Sequence, residues 1–186
     1  MDELIKKVER WAEVRKLDTA DPKAQALKVI EEFTEMIIAR EQNDTTEVID
    51  GIGDSYVTVI ILAKQLGLDV REIIGYKSET LKDLEGRGLA YEEVRELSIG
   101  GKVFVVRLIS GLSSAISKGN KEGIIDELMY ILFAAELLAD EYSTTPEHCL
   151  QEVYNEIKDR KGMMIDGTFV KYEDLSDENK AVLDNA

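Results

Sequence analysis

The sequence predicts an all-α fold with one short β-hairpin near its C-terminus. Three observations carry that expectation. Only two prolines interrupt 186 residues. Apolar residues recur at helical spacing in segment after segment. Cap and proline signals stand at the expected helix starts. Hydrophobic residues make up 44% of the chain and charged residues 33%, the balance of a globular protein.

Residues 2–17 place Ile5, Val8, Trp11 and Ala12 on one helical face. Asp21 followed by Pro22 supplies a cap and a proline at the first helical position, opening a second helix to about Arg40. Asp44, with Glu47 three residues on, opens a third that runs through Leu66. Gly67-Leu68-Asp69 ends it and caps a fourth, to about Leu84. LEGRG at 84–88 reads as a joint. MMIDGTFV at 163–170 reads as a hairpin with Asp166-Gly167 at the turn.

After the joint the plan restarts. WAEVRKL at 11–17 is echoed by YEEVREL at 91–97, with four of seven positions identical. A shift of 76 aligns Ile49-Asp50 with Ile125-Asp126, Leu62-Ala63 with Leu138-Ala139, Lys82-Asp83 with Lys158-Asp159, and Gly86 with Gly162. Order and shift are preserved together, which points to an internal duplication. The expected domains are 1–87 and 88–186, each a four-helix unit. The two would pack about a pseudo-two-fold axis as subunits of a dimer do, and further homodimerisation stays open.

Charge narrows the function. With 38 acidic against 23 basic residues the net charge is −15, a surface that repels phosphate backbones, so nucleic acid is not an expected partner. A lone Cys149 excludes an internal disulfide and suggests a reducing compartment. A lone His148 argues against a histidine-rich zinc or di-iron centre. The longest apolar run, VTVIILA at 57–63, is too short to span a bilayer, so no membrane partner is expected and a cytoplasmic location is.

The carboxylates are the informative residues. In VIEEFTEMI at 29–37, Glu31, Glu32 and Glu35, taken alone, read as the wet face of a helix, with a Lys28–Glu32 pair. GIGDSYVTVIILA at 51–63 changes the balance, because it is apolar or small on nearly every side, yet contains Asp54, one turn after Asp50. A buried carboxylate must be paired, protonated or metal-bound, and no Lys or Arg lies within a turn of Asp54. If the second and third helices pack together, Glu32, Glu35, Asp50 and Asp54 converge as hard oxygen donors suited to Mg²⁺, with Mn²⁺ also acceptable. Where the first copy has IEEFTE and Asp54, the second has ISGLSS at 109–114 and Tyr130, keeping only Asp126 and a new Glu127. One cation site per chain follows.

Conversely, NEIKDRKG at 155–162 carries Asn155, Arg160 and Lys161 where the first copy has Glu79, Leu84 and Glu85. This is either a helix C-terminus dressed with cations or a phosphate clamp.

EEFTE followed by DGIGD resembles the EExxE…ExxD signature of the all-α nucleoside triphosphate pyrophosphohydrolases of the MazG-like group, a superfamily that includes dimeric dUTPases. YNEIKDRKGMMIDGTFVKYEDL resembles the C-terminus, and WAEVRKLDTADPKAQALKVIEE the N-terminus, of MazG-like proteins common in phages and prophages. The resemblance implies an enzyme converting a (d)NTP to (d)NMP and pyrophosphate with Mg²⁺, in a host cytoplasm. It implies that Glu32, Glu35 and Asp54 are metal ligands, and that Glu31 is a ligand or orients the attacking water. It also implies that Asn155, Lys158, Arg160 and Lys161 hold phosphates. Trp11 could stack on a base or belong to the core. The chain departs from the signature at Gly51, where the second motif has Glu; Asp50 could substitute. A catalytically inactive relative that binds nucleotide or protein, and a purely structural helical module, are the competing expectations.

Overall fold

The computed structural model describes residues 1–75, 102–165 and 168–184. Helices α1 (Asp2–Val14), α2 (Pro22–Gln42) and α3 (Thr45–Gln65) are followed by a helical start at 70–75. Then come α4 (Lys102–Lys118), α5 (Lys121–Glu141) and α6 (Pro146–Ile157). Antiparallel strands β1 (Gly162–Ile165) and β2 (Thr168–Lys171) pair from Gly162–Lys171 to Ile165–Thr168, and α7 (Asp177–Asp184) closes the described chain. The fold is all-α with a C-terminal hairpin. Among the described residues, no helix is long and apolar enough to cross a membrane.

The local signals act as read. Asp21 accepts the Lys23 backbone N–H at 2.9 Å ahead of Pro22, and Asp44 accepts that of Glu47 at 3.2 Å. The first helix is shorter than its periodicity predicts. It ends at Val14 because Lys16 takes a left-handed conformation (φ 59°), and Leu17–Thr19 form a separate 3-10 turn. Helix α7 was not anticipated. Its signal is Ser176, whose hydroxyl accepts the Asn179 N–H, followed by Asp177 and Glu178 in the first turn. The rest of the fourth helix to Leu84, the joint at 84–88, the echo at 91–97 and the 87/88 boundary lie outside the described residues.

The shift of 76 extends to backbone conformation. Helices α3 and α5 both have 21 residues, and Asn120 caps α5 through the Gly123 N–H as Asp44 caps α3. Positive φ falls at Asn43 and Gly119 before these helices, and at Gly67 and Ser143 after them. Asp69 and Thr145 then cap the next helices. Arg40, on α2, makes two 3.2 Å bonds to the Glu141 carboxylate, tying the first helical hairpin (α2 and α3) to the second (α4 and α5).

Helix α3 is the centre of the molecule, buried from Gly51 to Gly53 and from Ser55 to Ala63, and it packs on α1, α2, α5 and α6. Two glycines set how closely. A Cβ on Gly51 would lie 2.9 Å from the Met36 Cβ of α2. One on Gly53 would lie 2.4 Å from Val153 Cγ2 and 2.5 Å from the Cys149 carbonyl oxygen of α6. Gly53→Ala is expected to destabilise the protein by roughly 1–3 kcal/mol, because a backbone carbonyl cannot step aside cheaply. A thermal melt within experimental error of wild type would show that α6 approaches α3 less closely than described.

Candidate functional site

The apolar stripe of α2, from Ala26 through Val29, Phe33 and Met36 to Ala39, turns into the core. This leaves Glu32 at the margin, where its side chain is 15% exposed. Asp50 and Asp54, one turn apart on α3, are half-buried beside it. Neither of their carboxyl groups has an ion pair or hydrogen bond among the described residues. Burial pushes Asp54 up from 3.8 to about 7, and the charges of Glu32, Asp50 and Glu156 push the same way against Arg160. Asp50 is raised by burial and by Glu156 and Glu47. Glu32 is raised by burial, against Lys28, with Glu35 and Glu31 adding repulsion. The group acting on Asp54 is therefore Glu32, Asp50 and Glu156, drawn from three helices.

Two predicted members stand further out. Glu31 and Glu35 are exposed. Lys28 reaches Glu31 at 2.8 Å and Glu32 at 3.3 Å, so the expected i,i+4 pair forms and takes in Glu31 as well. Sequence reading missed Glu156. Nothing local marked it: Glu156 lies in the last turn of α6, which ends at Ile157, and it comes to the acids only through the packing of α6 on α3. Gly51 also acquires a reason: Met36 of α2 fills the space a motif glutamate would need. Asp50, one position earlier, is the carboxyl this turn of α3 can offer.

The donor set suits a hard divalent cation: all-carboxylate, crowded and held partly out of water. As placed, no three Asp, Glu, His or Cys side chains among the described residues are gathered into a metal-holding cluster. Glu32 would have to leave Lys28 to join Asp54.

The second hairpin shows the same place in another state. Under the alignment of IEEFTE with ISGLSS, Lys28 and Glu32 answer to Arg107 and Gly111; under the shift of 76, Gly51 answers to Glu127. The glutamate and the glycine have exchanged helices. Glu127, buried, receives two 3.2 Å bonds from Arg107 and leans into the space a side chain at Gly111 would fill, 2.2 Å from Oε1. The Arg107 guanidinium stacks over Phe104 and Tyr130, 5.6 and 5.2 Å from their centroids.

The basic residues of the C-terminal segment divide between two clefts. Arg160 and Lys161 line one of about 570 Å³ between α1 and the hairpin. Lys158 lines another of about 350 Å³ on the outer face of α1 and donates to Asn155 at 3.3 Å. Trp11 is buried. Its Nε1 donates to the Ile157 carbonyl oxygen at 2.8 Å, and Arg15 covers its ring at 4.6 Å. In this position it fastens α1 to the end of α6.

The chain is 40% identical over 70 residues to a protein of Haemophilus phage HP1 (strain HP1c1) described as "Uncharacterized 18.2 kDa protein in rep-hol intergenic region". That match spans 37% of this chain and 43% of the phage protein's length, less than half of the relative. No family model matches the chain, and no solved structure does.

The folded chain holds a proton on Asp54 to higher pH than the unfolded chain does. The stability this gives is present below about pH 4, is lost as pH rises through about 7, and stays lost above. Asp54→Asn, which cannot ionise, is expected to melt close to wild type at pH 4. At pH 8 in EDTA it should be more stable, by on the order of 4 kcal/mol at most. An equal offset at both pH values would contradict the placement of Asp54.

Proposed function

We propose that the protein is a Mg²⁺-dependent nucleoside triphosphate pyrophosphohydrolase of MazG-like type, converting a (d)NTP to (d)NMP and pyrophosphate. The observation that carries this reading is the half-buried Asp54 carboxyl, which feels the charges of Glu32, Asp50 and Glu156 and has no ion-pair partner among the described residues. A protein core does not gather uncompensated carboxyls unless something compensates them in use. Similarity to a phage protein supports a phage or prophage origin, and the proposal places the activity in the host cytoplasm, where nucleoside triphosphates are found.

In this reading Asp54, Asp50 and Glu32 hold the cation from two helices, with Glu35 closing the outer side. Bound Mg²⁺ would screen the triphosphate charge and acidify the attacking water. Glu31, at the exposed rim, orients that water and takes its proton. Lys28 pairs with Glu31 and Glu32 and would have to release Glu32 for it to serve as a ligand. Arg160, which already acts on Asp50 and Asp54, is the side chain best placed to meet phosphate beside the acids, and Lys161 extends that charge. Glu156 adds negative charge on the far side of Asp50.

A second reading has its own observation. Lys28 engages two of the acids, and no cluster is gathered as placed, which suits an inactive descendant that binds nucleotide without turning it over. A panel of dNTPs with Mg²⁺, assayed for pyrophosphate and by calorimetry, separates the two. The proposal expects turnover that falls by roughly two orders of magnitude or more in Glu32→Ala and in Asp54→Ala, with helical circular dichroism retained. Binding without product in wild type would favour the inactive reading. Turnover undiminished in both variants would refute the metal assignment.

A further inference from the structure

The outer face of α1 carries a cationic cleft that the acid cluster does not use. About 350 Å³ in volume, it is lined by Lys6, Lys7, Arg10, Arg15 and Lys158 beside Trp11 and Tyr154, with Glu3 as the one acid among the described lining residues. In a chain with 38 acidic and 23 basic residues, five cations to one acid is the reverse of what the composition would distribute. Lys6 is bonded to Glu3 at 2.7 Å and Arg10 to Glu13 at 3.2 Å. Exposed pairs of this kind contribute little and open readily. Lys7, Arg15 and Lys158 make no ion pair among the described residues.

Part of the cleft is fixed in place. Arg15 donates to the carbonyl oxygens of Lys158 and Arg160, at 3.2 and 2.7 Å, and lies over the Trp11 ring. The Lys7 ammonium sits 5.8 Å from the centre of the half-buried Tyr154 ring. Tyr154 and Glu156 project to roughly opposite sides of α6, so α6 stands between this cleft and the acids.

Ligand chemistry follows from size and charge. A long polyanion would leave the cleft and meet a surface of net charge −15. An acidic peptide brings single, spaced charges and nothing flat for the tyrosine. Converging ammonium and guanidinium groups suit the concentrated charge of phosphate, and an aromatic wall suits a planar ring.

The geometry points to a second ligand site here, one that binds a compact phosphate ester bearing a flat ring, of nucleoside phosphate size, without a metal ion. It stands independently of the pyrophosphohydrolase reading, since it uses neither Asp54 nor its neighbours.

Trp11 is the sole tryptophan and lines the cleft, so its emission reports occupancy directly. The full chain in EDTA is titrated with ADP and, in parallel, with inorganic tripolyphosphate, with calorimetry as the check on a silent fluorophore. The site predicts saturable ADP binding that beats tripolyphosphate and weakens as salt rises. In Lys7→Gln/Arg10→Gln that binding should be about tenfold weaker, the loss expected of removing charge-assisted contacts, with circular dichroism unchanged. A second variant, Lys6→Gln/Arg10→Gln, should weaken it as well. Absence of ADP binding by both measurements, tripolyphosphate binding as tight as ADP, or undiminished affinity in both variants would overturn the inference.

Discussion

Everything in this molecule depends on how closely α3 can approach its neighbours. Gly51 brings α2 in until Met36 touches the backbone, and two residues later Gly53 brings in α6 against the Cys149 carbonyl. Those approaches make α3 a buried axis rather than one helix of a loose bundle. They also fix where Asp50 and Asp54 end up: beside Glu32 from one side and Glu156 from the other. An acid on a buried helix is tolerable only with compensation, and here Arg160, the cation that acts on Asp54 among the described residues, does not reach ion-pair contact.

The two hairpins show two ways of meeting the same constraint. Each has a cation on its first helix that finds the hairpin's glutamate. In the second hairpin Arg107 grips Glu127 with both nitrogens, is stacked by two rings, and the acid is satisfied permanently. In the first, Lys28 holds Glu31 and Glu32 with a single ammonium on a half-exposed stem, while Asp50 and Asp54 have no such partner among the described residues. A lysine offers a point charge on a flexible chain where arginine offers a planar fork. The first hairpin therefore keeps its acids available, and the second has used its acid to hold itself together.

Much of this was legible in the sequence because the signals were local. The caps at Asp21 and Asp44, the proline after the first of them, the two short apolar runs at 163–165 and 168–170 that become β1 and β2, and the apolar wrap of 51–63 each carry their own physics within a few residues; the turn expected at 166–167 lies outside the described residues. The spacing of Asp50 and Asp54 was equally readable. What was hidden depended on chain segments far apart. Glu156 joins the acids only because Val153 seats α6 on Gly53, and Arg107 meets Glu127 across 20 residues. Trp11 is covered because the backbone of Ile157 and the side chain of Arg15 come to it. The break at Lys16 was hidden for another reason: helical periodicity continues through a residue whose backbone has turned left-handed.

The proposed divalent ion would bind between α2 and α3. Paramagnetic broadening of backbone amide resonances by substoichiometric Mn²⁺ tests it without reference to any substrate. The account predicts selective loss of signals around Glu32 and from Asp50 to Asp54, with residues around Arg107 and Glu127 left sharp. Broadening spread evenly over the acidic surface, or centred on the second hairpin, would contradict it.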